Sequence, residues 1–148
     1  MTTMADILPL MLKENAAAIA FNMAVYQIVE IWDDLIDKDK PASCHDIDGA
    51  FYAALITLPR NGFYRENFAL LNPILESAIL DWWAANKIED TQKGDDLKTS
   101  YILRCGFQSL TTMSARIIGG VEWAQKVNTY LRTHGDTWAE YSAEFEVK

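Results

Sequence analysis

Cysteine, glycine and proline are scarce in this chain of 148 residues, which contains two, seven and four of them. The cysteines, Cys44 and Cys105, lie far apart and match no zinc or redox spacing, so we expect two free thiols in a reducing compartment. The sequence has no uncharged apolar run near the roughly 18 residues of a membrane-spanning helix, and no basic segment followed by an apolar one opens it. We therefore expect a soluble, cytoplasmic protein without membrane contact.

Basic residues are also few. The chain has 13 Lys and Arg against 21 Asp and Glu, a formal net charge of −8. Nucleic-acid-binding proteins need a basic surface to neutralise phosphates, so we expect no nucleic-acid partner. An acidic surface is compatible with solubility, with cation binding or with a basic partner protein.

Hydrophobic residues, by contrast, make up 50% of the chain, with five Trp, six Tyr and six Phe. This composition supplies a substantial core without help from metals or disulfides. No repeat, low-complexity tract or flexible linker divides the sequence, so residues 1–148 are predicted to form one domain.

The hydrophobic pattern predicts an all-α bundle of about six or seven helices with short connections. Asn15 opens a run in which only Asn22 and Gln27 are polar between Ala16 and Val29, as expected for a buried central helix. In the first half we expect a helix over Thr3–Lys13 with Pro9 as a candidate break, a helix from the Ser43–Asp46 capping box to Pro59, and a short helical piece that ends at Leu71. In the second half we expect a helix start at Asn72–Pro73, a helix that is capped by Asp95 and runs to Ile118, a break at Gly119–Gly120, a C-cap at His134 and a last helix over Thr137–Glu146.

The most informative motif is "EIWDDLIDKDKP", Glu30 to Pro41, which places acids in the last turns of the central helix. A helix C-terminus carries a partial negative charge and favours cations, so this position is unfavourable for carboxylates. At about 100° per residue, the acids share one face of the helix. They are Glu30, Asp33, Asp34 and Asp37. The opposite face, which includes Val25, Val29, Trp32 and Ile36, is predicted to be core.

Three interpretations of these acids stay open. Carboxylates at this spacing are the ligands that Mg²⁺ or Mn²⁺ prefers, which makes Glu30, Asp33, Asp34 and Asp37 candidate metal ligands. Alternatively they form a hydrated helix end, relieved by Lys38 and Lys40 and needing no cofactor. A structural ion pair with Arg104 is a further alternative.

Short resemblances favour the metal interpretation. Asp33–Asp37, "DDLID", resembles the DDxxD motif of class I isoprenoid synthases, all-helical enzymes that hold Mg²⁺-diphosphate, although no second such motif follows. Glu30–Asp33 is similar to the first ExxE motif of all-α nucleotide pyrophosphatases, which bind Mg²⁺ between two helices. The second motif would fall on His45–Asp48, where the leading Glu is missing.

Longer stretches resemble small uncharacterised helical proteins encoded in tailed-phage genomes. These stretches are "IWDDLIDKDKPAS", "AFYAALITLPRNGFYREN" and "LNPILESAILDWWAANK". The resemblance implies a phage or prophage origin, hence a location in the host cytoplasm, and a role in assembly, in the virion or in host takeover.

Together these features predict a non-enzymatic protein that acts through a protein partner or self-association. The alternative is a divalent-metal-dependent phosphohydrolase that uses the acidic face of the central helix. A second carboxylate wall opposite the first would separate the two.

Overall fold

The computed structural model describes residues 3–37, 41–91 and 93–146. These residues contain no strand, and seven of their helices have eight or more residues, so the all-α prediction is confirmed. No helix in the described ranges is long and apolar enough to cross a membrane. The helices are α1 (Met4–Met11), α2 (Ala16–Asp37), α3 (Cys44–Tyr52), α4 (Leu58–Arg60), α5 (Gly62–Glu66), α6 (Phe68–Thr91), α7 (Asp96–Leu103), α8 (Gln108–Thr133) and α9 (Trp138–Glu146), with a π-helical segment (Ala53–Thr57) between α3 and α4.

The chain divides into two compact units, Met1–Phe68 and Ala69–Lys148, which we call the N-terminal unit and the C-terminal unit. The expectation that residues 1–148 fold as one domain stays a prediction.

Helix α2 is the centre of the N-terminal unit and contacts α1, α3, the π-helical segment and α5. Phe21 of α2 is fully buried, and its ring lies 4.8 Å from the ring of Tyr64 in α5. Asn61 fixes this packing from two sides. Its Oδ1 accepts a hydrogen bond from the N–H of Tyr64 (2.9 Å), and its Nδ2 donates one to the carbonyl of Ala17 (2.9 Å). One side chain thus caps α5 and attaches it to α2.

Helix α1 continues through Pro9, so the candidate break there is wrong. A proline inside a helix removes one backbone hydrogen bond, but Leu8 and Leu12 on either side are fully buried and hold the segment against the unit. The start of α1 is fixed by a capping box between Thr3 and Asp6, and the hydrogen bond from the Thr3 backbone N–H lowers the pKa of the Asp6 carboxyl.

The segment from α3 to α4 is helical throughout, as predicted. Ser43 caps it by accepting a hydrogen bond from the N–H of Asp46 (3.1 Å), and α4 ends at Arg60, one residue beyond the expected Pro59. The π-helical turn over Ala53–Thr57 was not predicted. Its extra residue rotates the helix face that follows it by about 100° relative to a regular α-helix.

Two of the predicted helix boundaries after α5 are wrong. Helix α6 begins at Phe68 and includes Pro73, because the short helical piece expected before Asn72 has merged with the helix after it. The helix expected from Asp95 to Ile118 is divided into α7 and α8 by a turn. Gly106 in that turn lies close to α6, since a Cβ there would sit 3.3 Å from the Cα of Ala78.

Other boundaries in the C-terminal unit are confirmed. Gly120 interrupts α8 with a left-handed φ of 87°, which only glycine adopts without strain. His134 is the C-cap of α8, and its ring stacks on Tyr130 with centroids 3.9 Å apart. Thr137 precedes α9 and accepts a hydrogen bond from the N–H of Glu140 (3.1 Å).

Candidate functional site

The acidic face of α2 is divided by the structure. Glu30 and Asp34, one turn apart, line an open cavity of about 630 Å³ between α2 and the start of α3. Asp33 is half-buried and Asp37 is exposed, and neither is among the residues that line this cavity. Asp33 is turned about 60° from Glu30 around the helix axis, and Asp37 lies one turn beyond Asp34. Only two of the four sequence-predicted residues therefore share one space.

The opposite wall of the cavity comes from the first turns of α3. Its residues include His45 and Asp46, and the Ser43 cap described above fixes the start of the helix that carries them. Carboxylates from two helices thus border the same cavity, which we call the acidic cavity. Among the described residues the lining contains no Lys or Arg.

No group of three or more His, Cys, Asp and Glu side chains in the described part of the chain is placed to hold a metal ion. The assignment of Glu30, Asp33, Asp34 and Asp37 as Mg²⁺ or Mn²⁺ ligands stays a prediction. The proposed relief by Lys38 and Lys40 falls on residues outside the described ranges.

Beside the acidic cavity lies an apolar groove of about 270 Å³, which we call the α2–α3 groove. One wall comes from α2 and the other from α3 and Ala54 of the π-helical segment. Each wall contributes four residues at the spacing i, i+3, i+4 and i+7, which is the apolar stripe of a helix that packs against another helix. Two α2 residues, Ile28 and Ile31, and Ala50 of α3 also line the acidic cavity, so the two spaces adjoin. The groove residues are Ile28, Ile31, Trp32, Leu35, Ile47, Ala50, Phe51 and Ala54.

Large apolar side chains in and beside this groove are exposed. Phe51 is 61% exposed and Leu35 is 41% exposed, both within the groove. Nearby in sequence, Ile36 is 46%, Tyr52 61% and Leu55 68% exposed. Single exposed apolar residues are normal on a protein surface, whereas an apolar groove with large exposed side chains is a less common feature.

This exposure corrects the expected core face of α2. Val25 is buried as predicted, but Trp32 is half-buried and lines the groove, and Ile36 is exposed. The position of the apolar stripe on α2 was predicted correctly, but the last turns of the stripe are not buried as expected. The sequence of α2 does not show how far the neighbouring helices extend along it.

The predicted helix over Ala50–Leu58 is confirmed, but its apolar residues differ in burial. Phe51, Ala54 and Leu55 are exposed, whereas Leu58 is buried. The π-helical turn between them explains the difference, because its extra residue turns Leu58 away from the direction of Phe51.

Residues of the C-terminal unit that the sequence marked as candidates have structural partners. The guanidinium of Arg104 pairs with Glu89 and donates to Asn86 (2.6 Å) within the same unit. Burial raises the pKa of the Cys105 thiol, which leaves little of the thiolate needed for nucleophilic chemistry. The sequence suggested an ion pair of Arg104 with the acids of α2 as one alternative, whereas the ion pair observed for Arg104 is with Glu89.

Aromatic residues of α7 and α9 pack against one another in a cluster. Tyr141 is buried and hydrogen-bonds to Ser100, and its burial raises the pKa of its phenol. The ring of Tyr101 lies 5.7 Å from that of Trp138. In α6, Trp82 is 3% exposed while its neighbour Trp83 is 55% exposed, so only one of these two adjacent rings is buried.

The groove residues were the functional candidates that sequence reasoning missed. The available signal was the pair of i, i+3, i+4, i+7 stripes, one before and one after the 38–43 connection, which a helical hairpin brings together. The fold and this site define a class of protein, an all-α chain with an apolar groove between two helices and acids along one border. The sequence matches no protein-family model, and no curated protein or solved structure is significantly similar to it.

Proposed function

We propose that this chain acts by non-enzymatic protein–protein interaction, and that the α2–α3 groove is the surface that binds. The observation that carries the proposal is the groove itself, in which Leu35 and Phe51 stay exposed within an apolar lining. Burying a large apolar side chain contributes about 1.5–3 kcal/mol, so these residues supply a driving force for association. A phage origin, with a role in assembly, in the virion or in host takeover, is the part of the proposal that rests on sequence resemblance.

A photo-crosslinking amino acid in place of Phe51 tests the proposal in extracts of cells that express the chain. We expect one discrete crosslinked product from position 51, either with another protein or with a second copy. The matched control carries the same group at Ile102, which is 67% exposed on α7 in the C-terminal unit. Adding Leu35→Ser to the chain should remove the product from position 51.

Identical crosslinking patterns from positions 51 and 102 would contradict the proposal, because a crosslinker in the groove would then give the same products as one at any exposed position. Persistence of the product in the Leu35→Ser chain would do the same.

The second candidate is a divalent-metal-dependent phosphohydrolase. It is supported by one observation, that Glu30 and Asp34 from α2 and Asp46 from α3 border the same cavity. Release of phosphate or pyrophosphate from nucleoside triphosphates in Mg²⁺ or Mn²⁺ tests it. The phosphohydrolase requires metal-dependent turnover that Asp34→Asn abolishes and that Asp48→Asn, an exposed acid outside the cavity lining, leaves intact. Equal phosphate release from the wild type and Asp34→Asn excludes it.

A further inference from the structure

We infer that the α2–α3 groove takes an amphipathic α-helix of another protein, with its apolar stripe in the groove and a Lys- or Arg-rich flank over the acidic cavity. This inference rests on the proposed function and names the chemistry of the partner. It follows from the shape of the groove, from the charges at its border and from the net charge of the chain.

The shape of the groove favours a helix. Its walls are two helical stripes, from Ile28 to Leu35 and from Ile47 to Ala54, each with side chains at i, i+3, i+4 and i+7. Such stripes leave the depressions into which side chains of a third helix fit, the arrangement by which amphipathic helices bind helical grooves. A peptide that binds by strand addition would need the edge of a sheet, and the described residues contain no strand.

The border of the groove specifies charge. The acidic cavity shares Ile28, Ile31 and Ala50 with the groove, so a helix lying in the groove passes beside Glu30 and Asp34. Asp46 borders the cavity from the other helix, and the described lining contains no Lys or Arg to neutralise these acids. An acidic flank on the bound helix would be repelled there, whereas a basic flank would be attracted and steered towards the site.

The same charges disfavour a second copy of this chain as the occupant. A symmetric groove-to-groove contact brings the same patch of both copies together. Glu30, Asp34 and Asp46 would then lie beside a second chain that itself carries a net charge of −8. The partner is therefore a different, basic protein.

Binding of three labelled synthetic peptides to the full chain, measured by fluorescence anisotropy, tests the inference. Each peptide has about 18 residues, or five helical turns. The first has a leucine stripe with lysine flanks, the second has the same stripe with glutamate flanks, and the third is a scrambled version of the first with equal charge. We expect the first to bind at least about tenfold more tightly than either of the others, because only it matches both apolar stripe and charge.

Variants of the chain assign this binding to the groove. Phe51→Ser should weaken the lysine-flanked peptide by about tenfold, as expected for loss of a central aromatic anchor. Asp34→Asn should weaken it several-fold, with less effect in high salt, because the carboxylate contributes through long-range attraction. Ile102→Ser is the matched control and should leave binding unchanged. Circular dichroism verifies that each variant is folded, as expected from the exposure of Phe51 and Ile102.

Equal affinity for the lysine-flanked and scrambled peptides, or no effect of Phe51→Ser, would overturn the inference. So would a dimer in sedimentation equilibrium that Phe51→Ser dissociates, since the occupant would then be a second copy. In these cases a specific crosslink from position 51 still supports the proposed interaction function. If position 51 gave no specific crosslinked product, the proposed function itself would be contradicted.

Discussion

The two halves of α2 carry the same apolar stripe and meet different surroundings. In the first half, Ala18, Phe21 and Val25 are buried. From Ile28 onward no residue of the helix is buried, and Ile28, Ile31, Trp32 and Leu35 line an open groove. We call these the closed half and the open half of α2.

Length explains much of the difference. At 1.5 Å per residue, the 22 residues of α2 extend about 33 Å, whereas the eight residues of α1 extend about 12 Å and the five of α5 about 8 Å. Asn61 and Tyr64 attach α5 to the closed half, at Ala17 and Phe21. The short helices end before the stripe does. A hydrophobic stripe therefore locates an apolar face, while the reach of its neighbours decides which part becomes core and which part stays open.

The largest effect should come from the closed half. Phe21→Ala removes a fully buried ring that stacks on Tyr64, and should cost about 3–5 kcal/mol of unfolding free energy through the cavity it leaves. Urea unfolding followed by circular dichroism measures it. A cost below about 1 kcal/mol would show that this half is not the core of the N-terminal unit.

Asn61→Ala should come next, because it detaches α5 from the closed half without making a large cavity. The variant loses the N-cap of α5 and the hydrogen bond to Ala17, for a combined cost of about 1–3 kcal/mol. Asn61→Asp is the matched control, since aspartate keeps the cap acceptor and lacks the amide donor. The carboxylate also repels the carbonyl of Ala17, so an aspartate variant that is nevertheless more stable than the alanine variant would show that the cap of α5 contributes to the cost.

Trp32→Ala tests the open half. Because Trp32 is half-buried and lines the groove, we expect a cost of about 1–2 kcal/mol, below the loss for Phe21. Urea unfolding of both variants under the same conditions compares them. A loss for Trp32→Ala equal to that for Phe21→Ala would mean that the open half is core after all.

The smallest effect is expected at the acidic border. Asp34→Asn removes like-charge repulsion with Glu30 and an unfavourable interaction with the helix dipole, and should stabilise the chain by a few tenths of a kcal/mol. Thermal melts with and without millimolar Mg²⁺ or Mn²⁺ measure this together with any metal effect. Binding to the folded state raises the melting temperature according to RT ln(1 + [L]/Kd).

We expect neither metal to raise the melting temperature of the wild type or of Asp34→Asn. A rise of several degrees in the wild type that is absent from Asp34→Asn would favour the phosphohydrolase over the interaction protein.

The sequence by itself determined the helical class and many helix ends, because these depend on local chemistry. Asn15 accepts a hydrogen bond from the N–H of Ala18 at the start of α2, and Ser43 caps α3. Gly120 interrupts α8 and His134 caps its end. The sequence also located the acidic face of α2 and the apolar face opposite, since both follow from 100° per residue.

Only the tertiary structure decided which parts of those faces are covered. Asp34 and Asp46 border one cavity because α3 packs against α2, and no local pattern in either helix specifies that contact. Pro73 lies inside α6, where local rules predicted the start of a helix. The π-helical turn changes the direction of Leu58, where local rules predicted a regular helix. Burial depends on which neighbouring elements extend along a helix, and a stripe of side chains carries no information about the length of its neighbours.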